Sequence, residues 1–349
     1  MELVIIGAGA IGAVIGAYLT AGGNVQVTLI DKDEAHVRAT AKNGLIIHTQ
    51  ENTRVIPVDI YTPEEFINKR KKPVEYLMLC VKSQATLPAL EPFIPLLSDN
   101  GAVISVQNGL NGYKIASRVG PARTMIGFVN IFADYMEPGV ISYGGKGALI
   151  LGEPDGSISS RLRMLKEQLT GLDRLEISDN VYGYLWGKLG YASILAATSL
   201  TDETMADVID DPRYRTMLMD LASEILNVAA LNNISLPEFD DWDPNHAWPR
   251  EGRDVEAMNR QLDIHVVRLR SYTKVHSGIW RDIAVRHRET EYFAMVAPAL
   301  EQAKEKGIAT PLTDELILLL RSLEKGDIPF LTEHLERLRQ LDEKTYGVF

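Results

Sequence analysis

Gly7, Gly9 and Gly12 stand in the spacing G-x-G-x-x-G directly after the apolar run at residues 3–6, an arrangement suited to holding a pyrophosphate. Each glycine has its own task. Gly7 permits a tight turn, Gly9 lets phosphate oxygens approach the backbone without meeting a Cβ, and Gly12 lets the following helix pack closely on a sheet. The segment Gly7-Ala8-Gly9-Ala10-Ile11-Gly12 would then present amides at a helix N-terminus, where the macrodipole favours negative charge. After Gly22-Gly23-Asn24, residues 25–30 read as a second strand ending at Asp31. A carboxylate there accepts hydrogen bonds from both hydroxyls of an adenosine ribose and repels a 2′-phosphate, which favours NAD. Lys32, beside it, is a cation able to hold such a phosphate, so NADP stays open. Strand, glycine turn, helix, strand and acid arrive together, and that context turns a weak pattern into an expectation of dinucleotide binding.

Two further positions sit at strand ends. Lys82 follows the apolar run 76–81, and Asn108 lies in Gln107-Asn108-Gly109-Leu110-Asn111-Gly112 after the run 102–106. Ligands of open α/β sheets bind outside the carboxyl ends of the strands, which points both toward the cofactor. The plainer alternatives are a surface lysine and an Asn-Gly turn. Cys80, the one cysteine, lies within an apolar run and reads as a buried strand residue, with no partner for a disulfide. His287 and Glu291 have the i, i+4 spacing of a helical metal pair, but no second ligand pair is nearby and no metal is expected.

The elements that position these groups fall into two textures. At 349 residues the chain exceeds one ordinary core, and 46% hydrophobic residues suffice for two. Residues 1–179 alternate strands and helices, with an edge hairpin at 45–59, a solvated basic segment at 64–73 and a proline-punctuated helix at 88–97. Residues 180–349 show helical periodicity, at 182–200, 211–231, 254–273, 277–306 and 311–325. The net charge of -11 argues against nucleic acid and anionic membrane partners. No apolar run reaches the length of a membrane span and no secretory signal opens the chain, so a cytoplasmic protein is expected.

In fold order and local motifs the sequence resembles the ketopantoate reductase family. The resemblance rests on Gly7 to Gly12, Val81-Lys82, Gln107-Asn108-Gly109, Leu185-Trp186-Gly187-Lys188-Leu189, and Ser277-Gly278-Ile279-Trp280-Arg281-Asp282 followed by Thr290-Glu291. It implies a Rossmann-type α/β domain (1–179) followed by an all-α domain like the C-terminal domain of 6-phosphogluconate dehydrogenase (180–349), with substrate between them. It also implies an NAD(P)H-dependent reduction of a 2-oxo acid to a 2-hydroxy acid, with NADP the family's usual cofactor, and it is compatible with a homodimer. By resemblance Lys188 is the catalytic acid, and Glu291, rather than Glu289, orients it and binds a substrate hydroxyl. Ser277 would bond the substrate carboxylate, Asn108 the substrate or nicotinamide ribose, and Lys82 the cofactor phosphate or the substrate mouth.

Two departures qualify that picture. Family members carry asparagines four and eight residues beyond the lysine, where this chain has Ala192 and Ala196. A wall without those amides loses their hydrogen bonds, which implies a substrate larger or more apolar than ketopantoate. The stretch 237–276, with Trp242, Asp243, His246, Trp248, Arg250 and Arg253, reads either as a packed loop or as a lid. Other readings are an NAD-dependent dehydrogenase oxidising a branched or sugar-derived hydroxy acid, and a catalytically silent NAD(P)-binding regulator.

Overall fold

A computed structural model describes residues 1–144, 147–272 and 274–347. The chain divides into two compact units, Met1–Tyr182 and Gly183–Phe349.

The first unit runs β1 (Glu2–Ile6), α1 (Ala10–Gly22), β2 (Gln26–Ile30), α2 (Glu34–Asn43), β3 (Leu45–His48), β4 (Thr53–Ile56), β5 (Asp59–Tyr61), α3 (Pro63–Lys69), β6 (Val74–Leu79), α4 (Thr86–Leu90), β7 (Leu97–Ser105), α5 (Asn111–Val119), β8 (Thr124–Asn130), β9 (Ala133–Glu137), β10 (Val140–Tyr143), β11 (Ala148–Gly152), α6 (Ser160–Gln168) and β12 (Leu175–Ile177). Eight strands form one sheet in the order β12-β11-β8-β7-β6-β1-β2-β5. Its neighbours are parallel except for β11 against β8. Successive side chains of β1 enter different cores: Leu3 and Ile5 join one apolar cluster, Val4 and Ile6 another. A sheet covered on both faces needs such an unbroken apolar strand. The second sheet, β4-β3-β10-β9, lies against α1 through Ala13, Val14 and Ala17, while Ile15 and Leu19 serve the main core. That double burial explains why α1 is apolar all round.

The structure corrects several expectations here. The edge hairpin at 45–59 is β3 paired with β4, but β3 also pairs in parallel with β10, and β5 joins the main sheet. The segment 64–73 is not merely solvated. Thr62 and Glu65 form a capping box at the start of α3, Phe66 is buried, and Arg70 pairs with Glu2. The helix expected at 88–97 is α4 and a 3-10 turn, Glu91–Leu96, with β7 already beginning at Leu97.

The second unit holds most of α7 (Val181–Ala197), then α8 (Met205–Asp210), α9 (Arg215–Leu231), α10 (Val255–Arg270), α11 (Gly278–Ala284), α12 (Tyr292–Glu305), α13 (Pro311–Lys325) and α14 (Glu333–Tyr346). α9 is buried along most of its length and packs against α8, α10, α12, α13 and α14. The long helix expected at 277–306 is broken between α11 and α12. Two guanidinium groups there are held by one carboxylate: buried Asp282 accepts from Arg286 Nη1 at 2.9 Å, Arg288 Nε at 3.0 Å and Arg288 Nη2 at 2.8 Å. α10 ends at Arg270, and Thr273, the expected end of that helix, lies outside the described residues.

Candidate functional site

In the first unit the glycine turn joins β1 to α1. Gly7 has a φ of +96°, and a Cβ there would come within 2.7 Å of Val81 Cγ1. A Cβ at Gly12 would overlap the carbonyl oxygen of Gly7. Gly9 differs: its φ is -67°, which any residue adopts, and a Cβ there would meet no protein atom within 4 Å. Nothing in the protein's own packing demands glycine at that position. α1 also begins with no side-chain cap and no acid in its first turn, so its first amides are left to an external anion. The residues present therefore fit a dinucleotide pyrophosphate at Gly7, Ala8, Gly9, Ala10, Ile11 and Gly12.

Asp31 follows β2 directly, and its Oδ1 accepts from the Asp33 amide at 3.0 Å. Asp33, which the sequence reading passed over, caps α2 through the Ala35 amide at 2.9 Å and the His36 amide at 3.3 Å. Against a burial penalty, the His36 and Ala35 amides and the Tyr135 hydroxyl hold its carboxyl below the usual range. Two carboxylates thus flank exposed Lys32 at the end of β2.

At the ends of β6 and β7 a buried polar network ties two loops together. Gln107 Nε2 donates to the Val81 carbonyl at 2.9 Å and to Thr86 Oγ1 at 2.9 Å. Asn111 Nδ2 donates to Ser83 Oγ at 2.9 Å and to the Asn108 carbonyl at 2.7 Å, and Ser83 Oγ donates to that same carbonyl at 3.0 Å. Half-buried Asn108 is fixed by this network through its carbonyl, and half-buried Lys82 lies between Val81 and Ser83, both of which belong to it. Gln107, Asn111, Ser83 and Thr86 were missed as positioning residues; the density of amides after β7 was their signal. Cys80, expected as a buried strand residue, instead follows β6 directly and is half-buried, and burial pushes its thiol up to about 12, which disfavours the thiolate.

In the second unit Lys188 lies in the middle of α7. Burial brings its ammonium down from 10.5 to about 8, opposed by the charges of Glu291 and Asp240. Glu291 immediately precedes α12, is half-buried and acts on the lysine through its charge, whereas Glu289 is exposed. His287 lies in the non-helical break with a φ of +47°, so it shares no helix face with Glu291 and the metal-pair geometry is gone.

Ser277 is 5% exposed and caps α11, accepting from the Trp280 amide at 3.1 Å. Its Oγ is also 2.6 Å from Ser199 Oγ, which bonds the Leu195 carbonyl at 3.1 Å. With Ser199 donating to that carbonyl, the one Ser277 proton goes to Ser199. The two alanines separate: Ala192 is half-buried, but Ala196 is fully enclosed, against the expectation that both line the substrate wall.

The stretch 237–254 is a packed loop. Trp242 is 1% exposed and donates from Nε1 to the Gly187 carbonyl at 2.9 Å, Trp248 Nε1 bonds Asn227 Oδ1 at 3.2 Å, and Arg250 Nε bonds Asp220 Oδ2 at 3.0 Å. Asp243 and His246 both engage Gln261 Oε1, and Arg253 is buried against Asp220. A segment so bonded does not swing as a whole, and the lid reading gives way to the packed one.

Residues 3–156 match the family description "Ketopantoate reductase PanE/ApbA", and residues 180–324 match its C-terminal counterpart. The chain belongs to the ketopantoate reductase family. A 2-dehydropantoate 2-reductase of Mesorhizobium japonicum is 28% identical over 68% of this chain and 78% of its own length. That of Pyrococcus horikoshii is 25% identical over 93% and 98%. Among solved structures, D-mandelate dehydrogenase with NADH and anilino(oxo)acetate superposes with a TM-score of 0.78 at 21% identity, covering 93% of this chain and 99% of that one. Membership makes the protein a nicotinamide-dependent oxidoreductase of the 2-oxo acid reductase type. No described helix is long and apolar enough to cross a membrane.

Proposed function

We propose that the protein reduces a 2-oxo acid bearing an apolar or bulky side chain to the 2-hydroxy acid, with NADH preferred over NADPH. The observation that carries this is Lys188, an ammonium brought to about 8 and still charged at neutral pH, accompanied by Glu291. A nicotinamide, when bound, would supply the hydride for the 2-oxo carbon. Lys188 Nζ hydrogen-bonds the oxygen on which charge develops and delivers its proton there; solvent then reprotonates the amine. A value near 8 suits an acid working close to neutrality. Glu291 holds the ammonium in place and keeps it charged. Gly7 to Gly12 would hold the pyrophosphate, Asp31 the adenosine ribose, and Lys82 and Asn108 the nicotinamide half.

The preference for NADH rests on Asp31 and Asp33, two carboxylates on either side of Lys32 at the end of β2 that would oppose a 2′-phosphate. The preference for a substrate other than ketopantoate rests on Ala192, which offers no amide to a substrate hydroxyl. Exposed Phe293 and Leu318 on the C-terminal helices suit a homodimer, which sedimentation at two concentrations would test. A cytoplasmic location is in keeping with the single cysteine.

The test is a panel of 2-oxo acids assayed with NADH and NADPH in parallel, alongside a Lys188→Met variant. Turnover on an apolar 2-oxo acid above that on ketopantoate, lost in the variant, supports the reading. Full turnover in the variant, or hydride transfer to no 2-oxo acid with either cofactor, overturns it.

A further inference from the structure

Residues 239–242 form a closed turn next to the lysine. Phe239 N donates to the Trp242 carbonyl at 3.0 Å, and Trp242 N donates back to the Phe239 carbonyl at 2.9 Å. Asp240, at the apex, takes a φ of +49°. That left-handed conformation is uncommon outside glycine, and aspartate tolerates it better than most residues. The turn is seated on α7 at the residue before the lysine. Trp242 bonds the Gly187 carbonyl, and a Cβ on Gly187 would come within 3.0 Å of Pro244 Cγ and 3.4 Å of Phe239 Cε1. Gly187 is therefore glycine because this loop lies on it.

The rest of the turn is fixed from the other side. Asp241 accepts from Arg268 Nη1 at 2.6 Å, and the Trp242 ring lies 5.4 Å from Tyr191 and 5.9 Å from His265. Burial, then Arg268, brings His265 down to about 4, so this side of the cluster carries no titrating imidazole near neutral pH. Asp240 is left as the exposed carboxylate of the turn, within electrostatic reach of Lys188.

We propose that Asp240 is a positioning residue for Lys188: the turn holds its carboxylate beside the ammonium, and together with Glu291 it sets the pH at which the lysine gives up its proton. This rests on the reading of Lys188 as the acid and names a residue outside the motifs that identify the family. The charges that act on Lys188 include Glu291 at the start of α12 and Asp240 on the turn, while Tyr191, three residues along α7, has its hydroxyl bonded to Arg268. Two carboxylates offset a burial that one would leave less balanced. Removing Asp240 lowers the proton affinity of Lys188 and moves the alkaline fall in reductase activity to lower pH.

The experiment is competitive acetic anhydride labelling of the full chain across pH 6–11, with the Lys188 peptide followed by mass spectrometry, so that the lysine titrates whether or not a substrate is known. Asp240→Asn removes the charge and keeps a side chain suited to the left-handed region; Asp240→Gly removes it with no backbone strain, should the first variant fold poorly. The expected result is a Lys188 midpoint lower by on the order of one unit in both variants, as for loss of a nearby opposite charge. The pH profile of reductase kcat/KM should shift alike, while KM for the cofactor stays put. An unchanged midpoint in the variant that folds overturns the proposal; a shift in Glu291→Gln alone would then assign the tuning to Glu291. Failure of the reductase reading shows separately, as turnover that survives Lys188→Met.

Discussion

Trp242 donates its indole hydrogen to the carbonyl of Gly187, the residue that precedes Lys188, at 2.9 Å. A helix carbonyl in the middle of α7 thereby has a partner from outside the helix, and the segment that carries Lys188 is braced by a loop. Trp242→Phe keeps the ring and deletes the bond. The expected cost is about 1 kcal/mol, seen as a lower urea midpoint, since a buried acceptor keeps its intrahelical partner and loses only the second. Trp242→Ala empties a fully buried site and should cost about 3–5 kcal/mol.

Lys188 carries opposite consequences for activity and stability. Its proton is present below about pH 8, so with Lys188 as the proposed acid reduction should decline as pH rises through that value, while the reverse oxidation, which would need the neutral amine, should increase. Lys188→Met should lower kcat by about 10²–10⁴-fold. The native pKa lies below the unfolded value near 10.5, so folding disfavours the proton; the penalty is complete below pH 8 and disappears as pH rises to 10.5. Lys188→Met should therefore raise the melting temperature at pH 7 and leave it unchanged or lower at pH 11, as calorimetry would record.

Gly9 and Gly12 should separate ligand binding from folding. A methyl group at Gly9 meets only space that the protein leaves open, whereas one at Gly12 runs into the Gly7 carbonyl. Gly9→Ala is expected to melt within a degree or two of wild type and to bind NADH at least tenfold more weakly by titration calorimetry. Gly12→Ala should melt several degrees lower.

Ala192 and Ala196 should respond differently to asparagine. At half-buried Ala192 the amide can reach solvent or ligand, so Ala192→Asn should raise kcat/KM for 2-oxo acids carrying a hydroxyl relative to apolar ones. At fully buried Ala196 the same change forces polar bulk into packed core and should destabilise by about 1–3 kcal/mol. A specificity change at 196 without loss of stability would contradict this.

Asp342 and Asp220 are buried together, with Arg250 and Arg253 beside them. Burial, then the Asp220 charge, raises the Asp342 carboxyl to about 8. The native state holds a proton that the unfolded chain releases above about pH 4, so stability falls as pH rises from 4 toward 8. Asp342→Asn removes this dependence: its urea midpoint should change less between pH 5 and pH 8 than that of the wild type.

The first strand, the glycine turn and Asp31 were legible because their signals are local: the apolar run, the glycine spacing and the acid after the second strand all fall within residues 1–31. The second sheet was not. β9, Ala133–Glu137, is half-exposed and lacks clean alternation, and β3 meets β10 only after some ninety residues of intervening chain. α3 hid behind its lysines and arginines, although Thr62 and Glu65 announced its cap. The break before α12 escaped because helical periodicity says nothing of a buried carboxylate. Asp282 draws Arg286 and Arg288 out of the helix they would otherwise extend. Motif likeness led to Lys188 and Glu291 as candidates, whereas Asp240 follows no motif and becomes visible only when the Phe239–Trp242 turn closes.

The Asp282 clasp has a practical consequence at the bench. Glu291 ends a stretch of chain fastened by guanidinium groups that are themselves partly in solvent, so its placement answers to competing ions more readily than that of a helical residue. Concentrated chloride or guanidinium buffers would slacken the fastening before they disturb the helices, and assays in dilute and concentrated salt would then report two different pairings of acid and amine in one folded protein.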